Sequence, residues 1–434
     1  MPLPIKISTT ELAALIDEHL GVKNLDKNPS WKVLDSPISG RGVFASRDIA
    51  AGEIILRDVA LLAGPKTNDT ANVNTCALCC CHLEGNALDV MCKNGCTLPL
   101  CRTCASSNRH FDECELLKDW RPKDRNKINS HILRLISIVR CVFLQDQQQK
   151  LLNALQANSD KYYMVELQKA VACFENFPRH KEMLTCFYRT ICAFNTNAFE
   201  GNCQTAEGEI RVRGLFPLAG LVNHKCTPNA DHHFEDGQTI VLTATRAIRQ
   251  GEEIFTSYTK LLWSNVMRKT FLMVTKKFMC SCPRCLDPTE NGTYLSALFC
   301  RAQGCKSIVI PVQTKTLQPD WRCTTCESVF PHSKMARYQD FALNTINNRI
   351  NKGSVAEMIT FINDMCPRFC PSSNYVLVEA KLNVIWRMSR PTTEEFNEDH
   401  LKCKERYKEE IVALLEKLGA GDCTLKKLIT EEIL

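Results

Sequence analysis

A chain of 434 residues, 44% of them hydrophobic, holds enough apolar surface for more than one packed core and does not read as disordered. Its 54 basic and 48 acidic residues leave a net charge of +6, a mild surplus that permits an acidic partner without demanding nucleic acid. No run reaches the roughly 18 consecutive apolar residues of a membrane-spanning helix.

In chain order, Leu12, Leu15, Ile16, His19 and Leu20 recur at helical spacing, which predicts an amphipathic helix within residues 1–30 ending near Gly21. Residues 31–63 alternate short apolar runs (Trp31-Lys-Val-Leu, Val43-Phe44, Ile54-Ile55-Leu56) with turn signals at Ser39-Gly40-Arg41-Gly42 and Gly52-Glu53, the pattern of short strands. Residues 64–75 read as a polar linker, and the stretch Cys76 to Cys114 is rich in cysteine. Ile128, Ile132, Leu135, Ile136 and Val139 then predict a helix, with helices continuing to about Phe194. Short strands are expected again from Gly214 to Tyr258, a helix over 261–277, and helices from about Met335 onward. A strand pattern that breaks off before residue 64 and resumes near 214 is what a zinc module inserted in a β-domain would produce.

Cysteine is the compositional outlier, at 26 residues. Such usage means disulfides in a secreted chain, or metal ligands in a reducing compartment. Met1 to Leu20 carries Glu11, Asp17 and Glu18 and lacks the apolar stretch of a secretory signal. Reduced thiols in the nucleus, the cytoplasm or both are the expectation, with many binding zinc.

Four close pairs come first: Cys76-x2-Cys79, Cys92-x3-Cys96, Cys101-x2-Cys104 and His110-x3-Cys114. Close pairs let two side chains of one knuckle reach the same ion, so two pairs complete a tetrahedron and four pairs hold two zinc ions. A closed set of protein ligands leaves no open position, so the role is structural. Cys80, Cys81 and His82 compete nearby. A later set, Cys300-x4-Cys305-x17-Cys323-x2-Cys326, looks like a zinc ribbon, against the alternative of two loose pairs of reduced thiols. The remaining cysteines, Cys141 and Cys186 among them, read as small core residues.

Two further segments carry a family resemblance: Asn223-His224-Lys225-Cys226-Thr227-Pro228-Asn229 and Gly251-Glu252-Glu253-Ile254-Phe255-Thr256-Ser257-Tyr258. With Gly40-Arg41-Gly42-Val43-Phe44 upstream and Phe278-Met279-Cys280-Ser281-Cys282-Pro283-Arg284-Cys285 downstream, they resemble the core and post-SET segments of a SET domain. The cysteine pairs ending in His110-x3-Cys114 resemble a MYND finger. In this order the motifs resemble the SET and MYND domain-containing (SMYD) family, most of all its arthropod-type SmydA branch.

The resemblance implies an α+β fold: a SET β-fold interrupted by a MYND finger and a helical insert, then a post-SET zinc segment and a C-terminal helical domain. Its parts would be residues 1–70 (first helix and first part of SET), 71–115 (finger), 116–195 (helical insert), 196–262 (core SET), 263–332 (post-SET and ribbon-like segment) and 333–434 (C-terminal helices). It implies interleaved zinc sites, with Cys76, Cys79, Cys101 and Cys104 on one ion and Cys92, Cys96, His110 and Cys114 on the other. The Cys101-x2-Cys104 spacing departs from the commoner three-residue gap. Cys226 with Cys280, Cys282 and Cys285 would hold a third zinc, and the ribbon a fourth.

The implied activity is methyl transfer from S-adenosylmethionine to protein lysine, on a histone or another protein. Gly40, Arg41, Gly42, Asn197, Asn223, His224, Tyr258 and Phe278 would hold the cofactor, with Tyr258 at the methyl-transfer centre. Lys225 stands where the family commonly has serine, and adds a long cation near the expected sulfonium. The competing implication is a catalytically weak adaptor, acting in transcriptional repression for example, whose finger takes proline-containing peptides. Direct nucleic-acid reading is not expected, because no basic stripe is interleaved with aromatic residues.

Overall fold

The computed structural model describes residues 7–21, 29–66, 74–84, 90–124, 129–205, 208–312, 315–348, 352–390 and 394–431. The Ser8 hydroxyl accepts from the Glu11 N–H and opens helix α1 (Thr9–Leu20), which buries Leu12, Leu15, Ile16 and Leu20 and is capped by Gly21. Four strands follow: β1 (Trp31–Asp35), β2 (Arg41–Ala45), β3 (Ile54–Val59) and β4 (Leu62–Pro65). Two short helices, α2 (Arg102–Ala105) and α3 (Phe111–Trp120), belong to the cysteine-rich stretch. Helices α4 (Ser130–Val139), α5 (Asp146–Ala154), α6 (Lys161–Val171) and α7 (Lys181–Asn197) fill the insert.

Strands β5 (Phe199–Thr205), β6 (Gly208–Leu215), β7 (Asn223–His224), β8 (Ala230–Phe234), β9 (Thr239–Ala244) and β10 (Phe255–Thr256) complete the β-domain. Three of its small sheets pair elements distant in sequence: β3-β9-β8, β4-β6-β5 and the parallel pair β10-β7. Because β4 and β6 are neighbours in one sheet, the chain from 66 to 198 leaves and re-enters at one place, as the broken strand pattern implied.

Two strand boundaries differ from the sequence expectation. The supposed linker begins with β4, whose residues Leu62–Pro65 are all buried. Strands also resume at Phe199 rather than Gly214. The run Phe-Glu-Gly-Asn-Cys-Gln-Thr of β5 carries no apolar alternation, yet it pairs along its whole length with β6. Gly201 lets it pass beneath Phe234, since a Cβ there would overlap that ring.

After the β-domain, α8 (Asn265–Lys276) begins where the Ser264 hydroxyl caps the Met267 N–H, later than position 261. Then come α9 (Pro283–Leu286) and a four-stranded antiparallel sheet of β11 (Leu298–Phe299), β12 (Ile308–Pro311), β13 (Trp321–Cys323) and β14 (Val329–Phe330). Helices α10 (His332–Asn348), α11 (Val355–Thr360), α12 (Tyr375–Ser389), α13 (Glu398–Lys417) and α14 (Thr424–Thr430) finish the chain. One large core unites α1, the β-domain, the finger and the insert, and a second joins the ribbon sheet to the C-terminal helices. No helix among the described residues is long and apolar enough to cross a membrane.

Asp58 on β3 is fully buried in the first core, where its Oδ2 accepts from the Ala219 N–H at 2.8 Å. Burial raises its pKa to about 7. The folded state therefore holds this proton across a range in which the unfolded chain, with its ordinary carboxyl near 3.8, has lost it. Stability from this group is lost as pH rises toward 7. Thermal melts from pH 5 to 8 should show Asp58→Asn with a weaker decline in Tm than the parent chain; parallel declines would assign the slope elsewhere.

Candidate active site and metal centres

Four groups of ligand-type side chains come together, each with its ligand atoms within 4.8 Å of one another. They are Cys76, Cys79, Cys101 and Cys104; Cys92, Cys96, His110 and Cys114; Cys226, Cys280, Cys282 and Cys285; and Cys300, Cys305, Cys323 and Cys326. The edge of a tetrahedron of thiolates around zinc is about 3.8 Å for a Zn–S bond of about 2.3 Å. The sulfur separations Cys79–Cys101 (3.7 Å), Cys92–Cys114 (3.8 Å), Cys226–Cys280 (3.9 Å), Cys300–Cys326 (3.7 Å) and Cys305–Cys323 (3.7 Å) match that edge. The geometry therefore suits zinc at all four groups. Of the competing residues, Cys81 lies with its Sγ 3.3 Å from that of Cys79, beside the first group.

Two of these groups have buried partners that the spacing of cysteines did not reveal. His110 turns Nε2 toward Cys96 Sγ (3.1 Å), while its Nδ1 faces Glu113 Oε2 (3.1 Å). Arg140 of the insert holds Glu113 through Nε at 2.8 Å and reaches the Ala63 and Ala77 carbonyls. A carboxylate on the far nitrogen fixes the ring of a zinc-binding histidine. The sequence signal was Glu113, placed within His110-x3-Cys114.

Around the third group, Arg268 points Nε at Cys226 Sγ (3.3 Å) and Nη2 at Cys285 Sγ (3.6 Å). Lys269 donates to the Cys285 carbonyl and Arg284 to the Cys226 carbonyl. Glu290 takes Arg268 Nη1 at 2.6 Å. All four charged groups are at most 1% exposed. Three cations against one carboxylate leave two buried positive charges, a costly arrangement unless something opposes them. Four thiolates around a divalent ion carry the charge that cancels them.

This cluster packs directly against Tyr258 and Phe278. The Tyr258 N–H donates to His224 Nδ1 at 3.0 Å, so the proton of the neutral ring lies on Nε2, 3.2 Å from Cys226 Sγ. Burial lowers the His224 pKa to about 4 and keeps the ring neutral. The Tyr258 hydroxyl donates to the Val222 carbonyl at 2.8 Å. Burial, and then the charge of Glu253, hold its phenol protonated, well above the ordinary tyrosine range.

The parallel pair β7–β10 fixes these residues in place. Asn229, wholly buried, accepts the Phe255 N–H (2.7 Å) and donates to the Glu253 carbonyl (2.9 Å). Asn223 Nδ2 donates to the Arg41 carbonyl (3.1 Å) and to Glu253 Oε1 (2.7 Å). Gly42 lies so close that a Cβ would overlap that oxygen, and Gly40 before it has a φ of 54°. Arg41 Nη2 reaches the Ala154 carbonyl (2.8 Å) and Asn197 Nδ2 the Gln156 carbonyl (2.7 Å), so both converge on one short segment. The Lys225 ammonium rests 5.1 Å from the centre of the Phe255 ring.

A cavity of about 660 Å³ opens on Tyr258 and Asn197. Tyr163, Phe199, Arg213, Phe271 and Lys276 also line it; sequence reading had assigned none of them. Lys225 is not among the lining residues, nor are Gly40, Arg41, Gly42, Asn223, His224 and Phe278. His224 and Phe278 pack on Tyr258, which does line it, and Arg41 bonds the same short segment as Asn197.

The SET domain family matches residues 40–259. Over 432 residues the chain is 60% identical to SET domain-containing protein SmydA-8, isoform B, of Drosophila melanogaster, covering 99% of this chain and 96% of that protein. Isoform A is 53% identical, covering 99% and 94%. Histone-lysine N-methyltransferase ASHR1 of Arabidopsis thaliana is 27% identical, covering 68% of this chain and 62% of that protein.

Purified under reducing conditions, the chain is expected to carry about four zinc ions. Cys323→Ser with Cys326→Ser should lower the count measured by elemental analysis to about three. Cys326 is exposed, whereas the Cys226 group is enclosed, so a chelator should empty the ribbon first. Glu113→Ala should weaken zinc retention in the finger roughly 10- to 100-fold in competition with a chromogenic chelator. Unchanged retention would remove the orienting role given to Glu113.

Proposed function

The chain belongs to the SET-domain methyltransferase family, alongside the SmydA-type proteins, and from that membership we propose that it moves a methyl group from S-adenosylmethionine to lysine of a protein. The observation that carries the reading is Tyr258: a half-buried phenol anchored on Val222, between a metal-type cluster and a cavity large enough for a small molecule or a side chain. Gly40, Arg41, Gly42, Asn197, Asn223, His224 and Phe278 would hold the cofactor beside it. Their convergence through the Arg41, Asn197 and Asn223 hydrogen bonds supports that fit. The bound cofactor supplies an electrophilic methyl on sulfonium.

What remains for the protein is alignment and desolvation. An acceptor amine reacts only when neutral, although a free lysine has a pKa of about 10.4. A half-enclosed cavity walled by Tyr163, Phe199, Phe271 and Tyr258 disfavours the ammonium form. Tyr258 cannot serve as the base, because its phenol stays protonated; its oxygen orients the amine. Zinc at the Cys226 group would hold the segment bearing Phe278 against Tyr258.

The adaptor reading keeps one specific support. A cleft of about 760 Å³ runs over the finger, bordered by His82, Val90, Met91 and Phe111, and Phe111 is 61% exposed. That cleft could take an apolar, proline-containing segment.

Tyr258→Phe should lower methyl transfer to a lysine-peptide library roughly a hundredfold or more. Calorimetric affinity for S-adenosylmethionine should stay within about threefold, roughly 0.7 kcal/mol. A function lost in Cys79→Ser but intact in Tyr258→Phe would favour the adaptor.

A further inference from the structure

Lys276 is the last residue of α8, where a lysine ordinarily extends into water. Its neighbour Lys277 does so, exposed and paired with Asp160 at 2.7 Å. Lys276 instead turns into the cavity beside Tyr258. Its Nζ donates to the Thr196 carbonyl at 2.7 Å and stands 5.6 Å from the centre of the Tyr258 ring. The carboxylates on the cavity wall are Glu200, which Arg213 already engages at 3.1 Å, and Asp160, the partner of Lys277. Burial, and then Arg213, lower the Lys276 pKa to about 8, so a neutral fraction with a free lone pair exists near neutral pH. A primary amine held on a backbone carbonyl and over the face of this tyrosine makes the contacts an incoming lysine would need.

We propose that Lys276 occupies the acceptor place of the cleft and is itself a methylation site, modified by the same chain. The proposal rests on the methyltransferase reading above. In the step, Nζ has first lost its proton to water. Its lone pair attacks the methyl carbon of S-adenosylmethionine, the N–C bond forms and the C–S bond breaks. The bonding pair stays on sulfur, which leaves S-adenosylhomocysteine and a methylated ammonium. Until then the unmodified amine stands as a resident cation where a second cation would arrive.

The test uses the full-length, zinc-loaded chain. After incubation with S-adenosylmethionine, peptide mapping by mass spectrometry is expected to find a methyl group on Lys276, absent from Lys276→Arg. Calorimetry supplies a readout free of turnover. Sinefungin carries a cationic amine where the methyl donor carries its sulfonium methyl, whereas S-adenosylhomocysteine is uncharged at that position. Lys276→Met should tighten sinefungin roughly tenfold and leave S-adenosylhomocysteine unchanged, as removal of one nearby cation requires. S-adenosylhomocysteine binding without methyl at Lys276, whether or not other lysines are modified, overturns the proposal. Failure of S-adenosylhomocysteine to bind either protein overturns the methyl-donor reading itself, and this proposal falls with it.

Discussion

The charge balance around Cys226 is the constraint on which the site depends. Arg268, Lys269, Arg284 and Glu290 are sealed from water next to four thiols, and together they carry a surplus of positive charge. A divalent ion with four thiolates would balance it, and in doing so would tie Cys226 of the β-domain to Cys280, Cys282 and Cys285 some fifty residues later. Tyr258, His224 and Phe278 pack on that tie, with ring centres 5.2 to 6.5 Å apart. The tyrosine is thus positioned by the Cys226 ligand cluster on one side and by the Asn223–Glu253–Asn229 hydrogen bonds on the other.

The same logic couples the finger to the rest. Arg140 meets Glu113, which orients His110, and it also reaches the Ala63 carbonyl on β4 and the Ala77 carbonyl in the finger. One guanidinium therefore joins the insert, the finger and the β-domain through charge-assisted hydrogen bonds. The finger shares a single apolar core with the β-domain rather than hanging from it.

What could be read from sequence followed from local chemistry. The grouping of the ligand-type side chains was legible because a knuckle needs its cysteines at short fixed spacings, and the motif around Tyr258 singled that residue out as a candidate. The partners of those ligands were not. Arg268 and Lys269 sit in Asn-Val-Met-Arg-Lys-Thr, a run that reads as an ordinary polar helix start, and only the fold brings them to Cys226 and Cys285. Strand β5 was missed because its pairing comes from β6 and from the glycine beneath Phe234, not from its own apolar residues. Lys276 looked like the end of a helix and proved to be part of a cavity wall.

Zinc at the Cys226 group would hold the proposed cofactor site together. The direct measurement is the affinity of S-adenosylhomocysteine for Cys282→Ser, taken by calorimetry alongside zinc content and far-ultraviolet circular dichroism. The expected result is one zinc ion fewer, an unchanged helical spectrum, and affinity weakened roughly tenfold or more. Full affinity in a folded chain that has lost that zinc would contradict it.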